Sequence, residues 1–125
     1  MKIGNYEINN HSPAFIIAEL SANHNGSIEN ALESIKAAKK AGADCVKFQT
    51  YTADTITLNH RSSHFKITQG TIWDGQYLHD LYKTAYTPWE WHEELFKACS
   101  DEGLISFSSP FDTTAVDFLE KFDVP

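Results

Sequence analysis

The first ten residues set apolar Ile3, Tyr6 and Ile8 among polar neighbours around Gly4-Asn5, a pattern that predicts a small hairpin or strand. After Pro13 the run Ala14-Phe15-Ile16-Ile17-Ala18 is continuously apolar and closes on Glu19. A run without alternation suits a strand covered on both faces, as in a parallel sheet. Ile28, Ala31, Leu32, Ile35 and Ala38 then recur at helical spacing behind Ser27, which is placed to cap the helix, and Gly42 ends it. Glu29 and Glu33 fall early in that helix and Lys36, Lys39 and Lys40 fall late, complementing its dipole. A second strand, Asp44 to Gln49, follows at once. The opening is a β-α-β unit.

From Tyr51 to Gly75 the periodicity lapses into Thr, Ser, Asn and His, and a long irregular segment in a compact domain is usually a functional loop or lid. Leu78, Leu81, Tyr82 and Ala85 restore helical spacing. Thr87-Pro88-Trp89-Glu90 has the form of a helix start, with a Thr cap, Pro first and Glu three after the cap, and Gly103 ends that helix. Leu104 to Ser109 reads as a third strand, and Asp112 or Thr113 opens a last helix through Val116 and Leu119. Strand-helix repetition with right-handed crossovers implies an α/β fold around a parallel sheet, open or closed into a barrel. A closed barrel takes roughly 250 residues. The chain, residues 1–125, is therefore expected to be a truncated N-terminal part of a larger architecture.

Composition narrows the functional classes. Hydrophobic residues are 42% and charged ones 22%, as in folded globular proteins. A net charge of −7 without any basic stripe argues against nucleic acid and anionic membranes as partners. No apolar run is long enough to span a bilayer, and residues 1–12 lack a signal-peptide core, so a cytoplasmic location is expected. Cys45 and Cys99 lie inside apolar elements and read as reduced packing residues. His60, His64 and His79 lack metal-motif spacing, which argues against a zinc site.

In parallel α/β folds the working residues sit at the carboxyl ends of strands. Three clusters meet that condition: Glu19 with Ser21 to Gly26, Lys47 with Gln49, and Ser108-Ser109-Pro110-Phe111-Asp112. A carboxylate closing an apolar strand points into a site more readily than into a core, where burial costs more. Lys47, between Val46 and Phe48, needs an anion or a carboxylate partner, and an ion pair with Glu19 is the alternative to ligand binding. Gln49 shares its face by the two-residue period of a strand. His24 either reaches a ligand or holds its loop by hydrogen bonds. Ser108 and Ser109 either cap the next helix or bind an anion beside its start. The aromatic cluster from Trp73 to Trp91 reads mainly as helix packing, with Trp73, on the long loop, the best candidate for stacking on a sugar.

The segments Ile17 to Gly26, Ala41 to Thr50 and Phe107 to Asp112 resemble, in order, the first three strand signatures of the sialic acid synthase family. Similarity runs over residues 13–125. Trp73-Asp74-Gly75-Gln76 and Leu81 to His92 resemble the pseudaminic acid synthase branch. The resemblance implies a (β/α)8 barrel followed by a C-terminal antifreeze-like domain, in a domain-swapped homodimer. It implies condensation of phosphoenolpyruvate with an open-chain N-acetylated amino sugar in surface carbohydrate biosynthesis. It also implies a divalent ion, manganese or magnesium, that polarises the aldehyde. By position, Glu19 is similar to the glutamate that faces the sugar and reacting centre. Lys47 is similar to a lysine on phosphoenolpyruvate, and Gln49 to a glutamine near the sugar. Ser109 stands where many members have threonine beside the phosphoenolpyruvate anion. Asn23, His24 and Phe111 belong to the same matching motifs and are carried as substrate-binding residues. The family's metal-ligating histidines lie beyond Pro125, so this chain by itself is expected to catalyse nothing. N-acetylneuraminate or legionaminate synthesis would use the same residues. A short non-catalytic chain that binds a full-length partner is the reading from another class.

Overall fold

The computed structural model describes residues 1–125. A two-stranded antiparallel hairpin, β1 (Lys2–Ile3) and β2 (Tyr6–Glu7), opens it, turning through Gly4 at φ 55°. A β-carbon at Gly4 would sit 3.4 Å from Ile105 Cδ1, so the hairpin closes against the N-terminal end of the main sheet. The Tyr6 hydroxyl donates to the Pro13 carbonyl, and the Tyr6 and Phe15 rings pack 4.8 Å apart.

Strand β3 (Ile17–Ser21) starts later than the apolar run from Ala14 predicts. Asp44 is the cause: its carboxylate accepts the Ile16 N–H at 2.8 Å, while the Ile16 carbonyl accepts the N–H groups of Asp44 and Cys45. Those bonds set the register of β3 beside β4 (Cys45–Thr50), which in turn pairs with β5 (Ile105–Pro110). All pairing is parallel, in the order β3-β4-β5.

Helix α1 (Ile28–Lys40) is capped as its sequence predicts, with the Asn30 N–H donated to Ser27 Oγ, and the chain leaves it through Gly42 at φ 90°. In the long segment after β4, α2 (Ala53–Ile56) forms a single turn closed by reciprocal Thr52–Thr55 bonds. Helices α3 (Leu78–Ala85), α4 (His92–Asp101) and α5 (Thr113–Leu119) complete the set. Ala31 and Ile35 of α1, Val46 and Phe48 of β4, and Leu95, Phe96 and Cys99 of α4 bury one face of the sheet. Burial pushes the thiols of Cys45 and Cys99 up to about 11 and about 12, and both cysteines are free. No helix is long and apolar enough to cross a membrane.

One predicted helix start is different. Thr87 does not cap α4, because its hydroxyl donates to the Ser21 carbonyl, and the turn from Trp89 to Trp91 is 3-10 before α4 proper begins at His92. His92 is fully buried and joins α4 to the sheet. Its Nδ1–H donates to the Pro88 carbonyl, so Nε2 accepts from Thr50 Oγ1 at 2.7 Å, and Thr50 accepts from Ser108 Oγ at 2.6 Å. Each proton has one acceptor. The buried network is satisfied.

Candidate functional site

The helix-facing side of β4 takes Val46, Phe48 and Thr50, so the two-residue period turns Lys47 and Gln49 to the other face. Register then aligns Glu19 with Lys47, Lys47 with Phe107, and Gln49 with Ser109. The pairing of β3 with β4 is irregular between Glu19 and Ser21, and Ser21 adopts φ 52°. Irregularities of this kind re-aim side chains beside sites.

Glu19 is the hub. Lys47 Nζ lies 3.2 Å from its Oε2, and Ser21 Oγ donates to its Oε1 at 3.1 Å. Gln49 Nε2 reaches the same oxygen at 3.5 Å. The Glu19 and Lys47 side chains are 46% and 28% exposed, so the pair sits at a mouth rather than in the core. The ion pair expected as the alternative to ligand binding is therefore formed, in a place where a ligand can reach it.

Gln49 also borders a cavity of about 660 Å³, lined by Ser21, Asn23 and Asn25 at and after the end of β3 and by Tyr51, Trp73 and Tyr82. No charged side chain lines it. The charged Glu19–Lys47 pair and the neutral cavity thus adjoin, with Gln49 shared between them.

The other sequence candidates fall around this centre. Asn23 is on the cavity wall. Ser109 lies beside Gln49 in the sheet but off the cavity wall. Ser108 is not a cap, since its hydroxyl goes to Thr50. Asp112 caps α5, accepting the Thr114 hydroxyl and the N–H groups of Thr114 and Ala115, and these bonds, the hydroxyl's first, hold its carboxyl below the usual range. A carboxylate thus occupies the helix start where the sequence suggests an anion site. Phe111 is not on the cavity wall but packs against the ring of Tyr51, which is, at 5.5 Å.

His24 is 1% exposed and is not among the residues that line the cavity. Its Nδ1 accepts the Gly26 N–H at 3.1 Å, which places the proton on Nε2, 3.2 Å from Thr87 Oγ1. With Thr87 donating to Ser21, the ring clamps both ends of the 21–26 loop to the chain before α4. Of its two sequence readings, the loop-holding one is the contact formed.

Tyr51 has a place at the site that the sequence reading does not give it, while Tyr82 and Thr87 read in the sequence only as helix packing and as a helix cap. For Tyr51 a signal existed, since it stands two residues beyond Gln49 on the same strand extension. For Thr87, which is distant in sequence from its partners, there was none.

Burial pushes the imidazoles of His24 and His92 below the usual 6.5. The unfolded chain then takes up protons first as pH falls below about 6.5, and each histidine lowers stability by up to about 1.4 kcal/mol per pH unit until its folded-state value is reached. The melting temperature should therefore drop between pH 6.5 and 5. A flat profile across that window would show that neither ring is held neutral.

No three His, Cys, Asp or Glu side chains are placed to hold a metal ion, so these residues do not form a ligand set for the metal implied by the resemblance.

A parallel sheet that presents a carboxylate, a lysine, amides and a hydroxyl toward the carboxyl ends of its strands has the site placement of an α/β enzyme, whether its sheet is open or closed into a barrel. Residues 34–125 match the NeuB family, and the chain belongs to that family. It is 54% identical over 123 residues to a pseudaminic acid synthase of Campylobacter jejuni, covering 98% of this chain and 35% of that protein. Against the pseudaminic acid synthase of Helicobacter pylori the identity is 50% over 113 residues, 90% of this chain and 33% of the other. A solved N-acetylneuraminic acid (sialic acid) synthetase of Leptospira borgpetersenii, in complex with citrate, superposes with a TM-score of 0.78. Identity there is 26%, over 99% of this chain and 38% of that one. The chain spans about a third of the length of the curated relatives it matches. Its β-α units correspond to the N-terminal part of the synthase barrel.

Proposed function

We propose that the chain supplies part of the active site of a nonulosonic acid synthase of the pseudaminate type, which joins phosphoenolpyruvate to an open-chain N-acylated amino sugar. The observation that carries this reading is the charged Glu19–Lys47 pair set beside a neutral cavity, with Gln49 touching both. That division suits two substrates, one strongly anionic and one uncharged. The similarity to two pseudaminic acid synthases supports the branch.

In this reading Lys47 exchanges Glu19 for the anionic groups of phosphoenolpyruvate. The electron pair of the phosphoenolpyruvate C2=C3 bond attacks the aldehyde carbon, and the aldehyde oxygen takes up a proton to become a hydroxyl. Phosphate departs from C2 with the C2–O bonding pair, taking up the proton that the new C2 hydroxyl releases as it becomes the keto group of a 2-keto acid. That hydroxyl forms when water adds at C2 and loses a proton. Glu19, released from Lys47, is the base at hand for that proton. Gln49 and Asn23 hold the sugar's hydroxyl and amide groups. A divalent ion, whose ligands lie outside this chain, would polarise the aldehyde when bound.

The test is phosphate release by the protein at full family length. Release from phosphoenolpyruvate should depend on an added N-acylated amino sugar. Release that ignores the sugar, or none with any such sugar, would overturn the reading.

A further inference from the structure

The segment between Lys66 and Tyr77 forms a small hairpin. Lys66 and Tyr77 are bridged antiparallel, Ile67 N–H donates to the Gln76 carbonyl, and Gly75 N–H returns to the Ile67 carbonyl. Asp74 fixes its tip by accepting the N–H groups of Gly70 and Thr71, both at 2.9 Å. Those bonds hold the Asp74 carboxyl below its usual range. Arg61 anchors the base, ion-paired to Asp80 of α3 with its guanidinium 4.7 Å from the centre of the Tyr77 ring.

This braced tip carries the adjacent pair Ile72 and Trp73, 89% and 45% exposed. Of the large apolar side chains the fold leaves exposed, these are the two that border the cavity. Holding such side chains in water forgoes the stabilisation that burial gives. The same cavity is lined by the amides of Asn23, Asn25 and Gln49, with no cation to meet a phosphate. The lining thus combines hydrogen-bonding amides with an exposed aromatic and aliphatic pair. A small ligand that fits it is neutral, rich in hydroxyl and amide groups, and bears apolar substituents.

We propose that Trp73, with Ile72 beside it, determines which sugar the cavity accepts, by seating the N-acyl methyl groups and any deoxy carbon of the sugar against the hairpin tip. The inference rests on the synthase reading for the kind of ligand. The apolar pair contacts the sugar alone, because phosphoenolpyruvate binds at the charged pair next door.

The test uses the full-length protein with sugars that differ in apolar substituents: N-acetylmannosamine, its N-propanoyl homologue and a diacetamido-trideoxyhexose. With whichever of these the parent converts best, Trp73→Ala should raise the sugar KM roughly ten-fold through the lost aromatic contact. The phosphoenolpyruvate KM and the melting temperature should stay put, and Trp73→Phe should restore most of the sugar affinity. Discrimination among the three sugars should shrink in the alanine variant. An unchanged sugar KM, or an equal rise in both KM values, would overturn the proposal while leaving the synthase reading intact. If the parent converts none of the three, tryptophan fluorescence decides separately. A blue shift on adding an acetamido sugar, absent in Trp73→Phe, would support the apolar pair's role although the synthase reading had failed. No shift with any of the three would overturn that role as well.

Discussion

A Glu19→Gln variant of the full-length protein should fold like its parent and lose most of its turnover, by roughly 10²–10⁴ if its carboxylate carries a proton in the reaction. The amide keeps the size and planarity of the side chain but neither its charge nor its basicity. In the parent one carboxylate oxygen faces Lys47, and the other accepts from Ser21 and, at longer range, from Gln49. Glutamine can keep one acceptor oxygen in that arrangement; its NH2 group then faces a donor. That mismatch costs little in stability here, because the side chain is 46% exposed and water can take up the slack. A steady-state assay with a parallel thermal melt separates the effects. Turnover within a few-fold of the parent would make Glu19 a solvated strand-end residue whose bonds only shape the β3 turn.

The two strands that carry the site were legible because their signals are local. Cys45-Val46-Lys47-Phe48-Gln49 announces a buried strand whose polar side chains must share one face, and β4 takes that form. Ser27 and Gly42 bound α1 by chemistry confined to a few residues. The failures involve partners far apart in sequence. Ala14 to Ile16 have strand character, yet the Asp44 carboxylate, 28 residues away from Ile16, decides where pairing begins. Thr87 has the sequence of a cap, but a loop 63 residues earlier supplies His24 as its partner, with Ser21 taking its proton. The 66–77 hairpin escaped for a different reason. Its backbone pairing is brief and its side chains are mostly exposed, so no hydrophobic period marks it, and a single carboxylate, Asp74, sets the tip.

Replacing Lys47 by alanine in the full-length protein should act through phosphoenolpyruvate and leave the fold nearly untouched. A substrate with a phosphate and a carboxylate needs fixed positive charge, and Lys47 is the cation this chain turns toward the site mouth. Hydrogen bonds to charged groups contribute about 1.5–3 kcal/mol, so losing one should weaken phosphoenolpyruvate capture by roughly 10- to 200-fold. Were the lysine there to neutralise Glu19 in a core, its removal would strand a buried charge and cost about 3–5 kcal/mol of stability. The geometry argues against that magnitude. Glu19 is nearly half exposed, retains its bond from Ser21, and would regain water on the side that Lys47 vacates. For a pair this open the stability change should stay within about 1 kcal/mol. Lys47→Arg should recover only part of the affinity, since a planar fork replaces a compact ammonium on a strand with fixed direction. A phosphoenolpyruvate titration beside a thermal melt distinguishes the two roles. A large fall in melting temperature with unchanged apparent affinity would assign Lys47 to the fold and leave the anion to be held elsewhere.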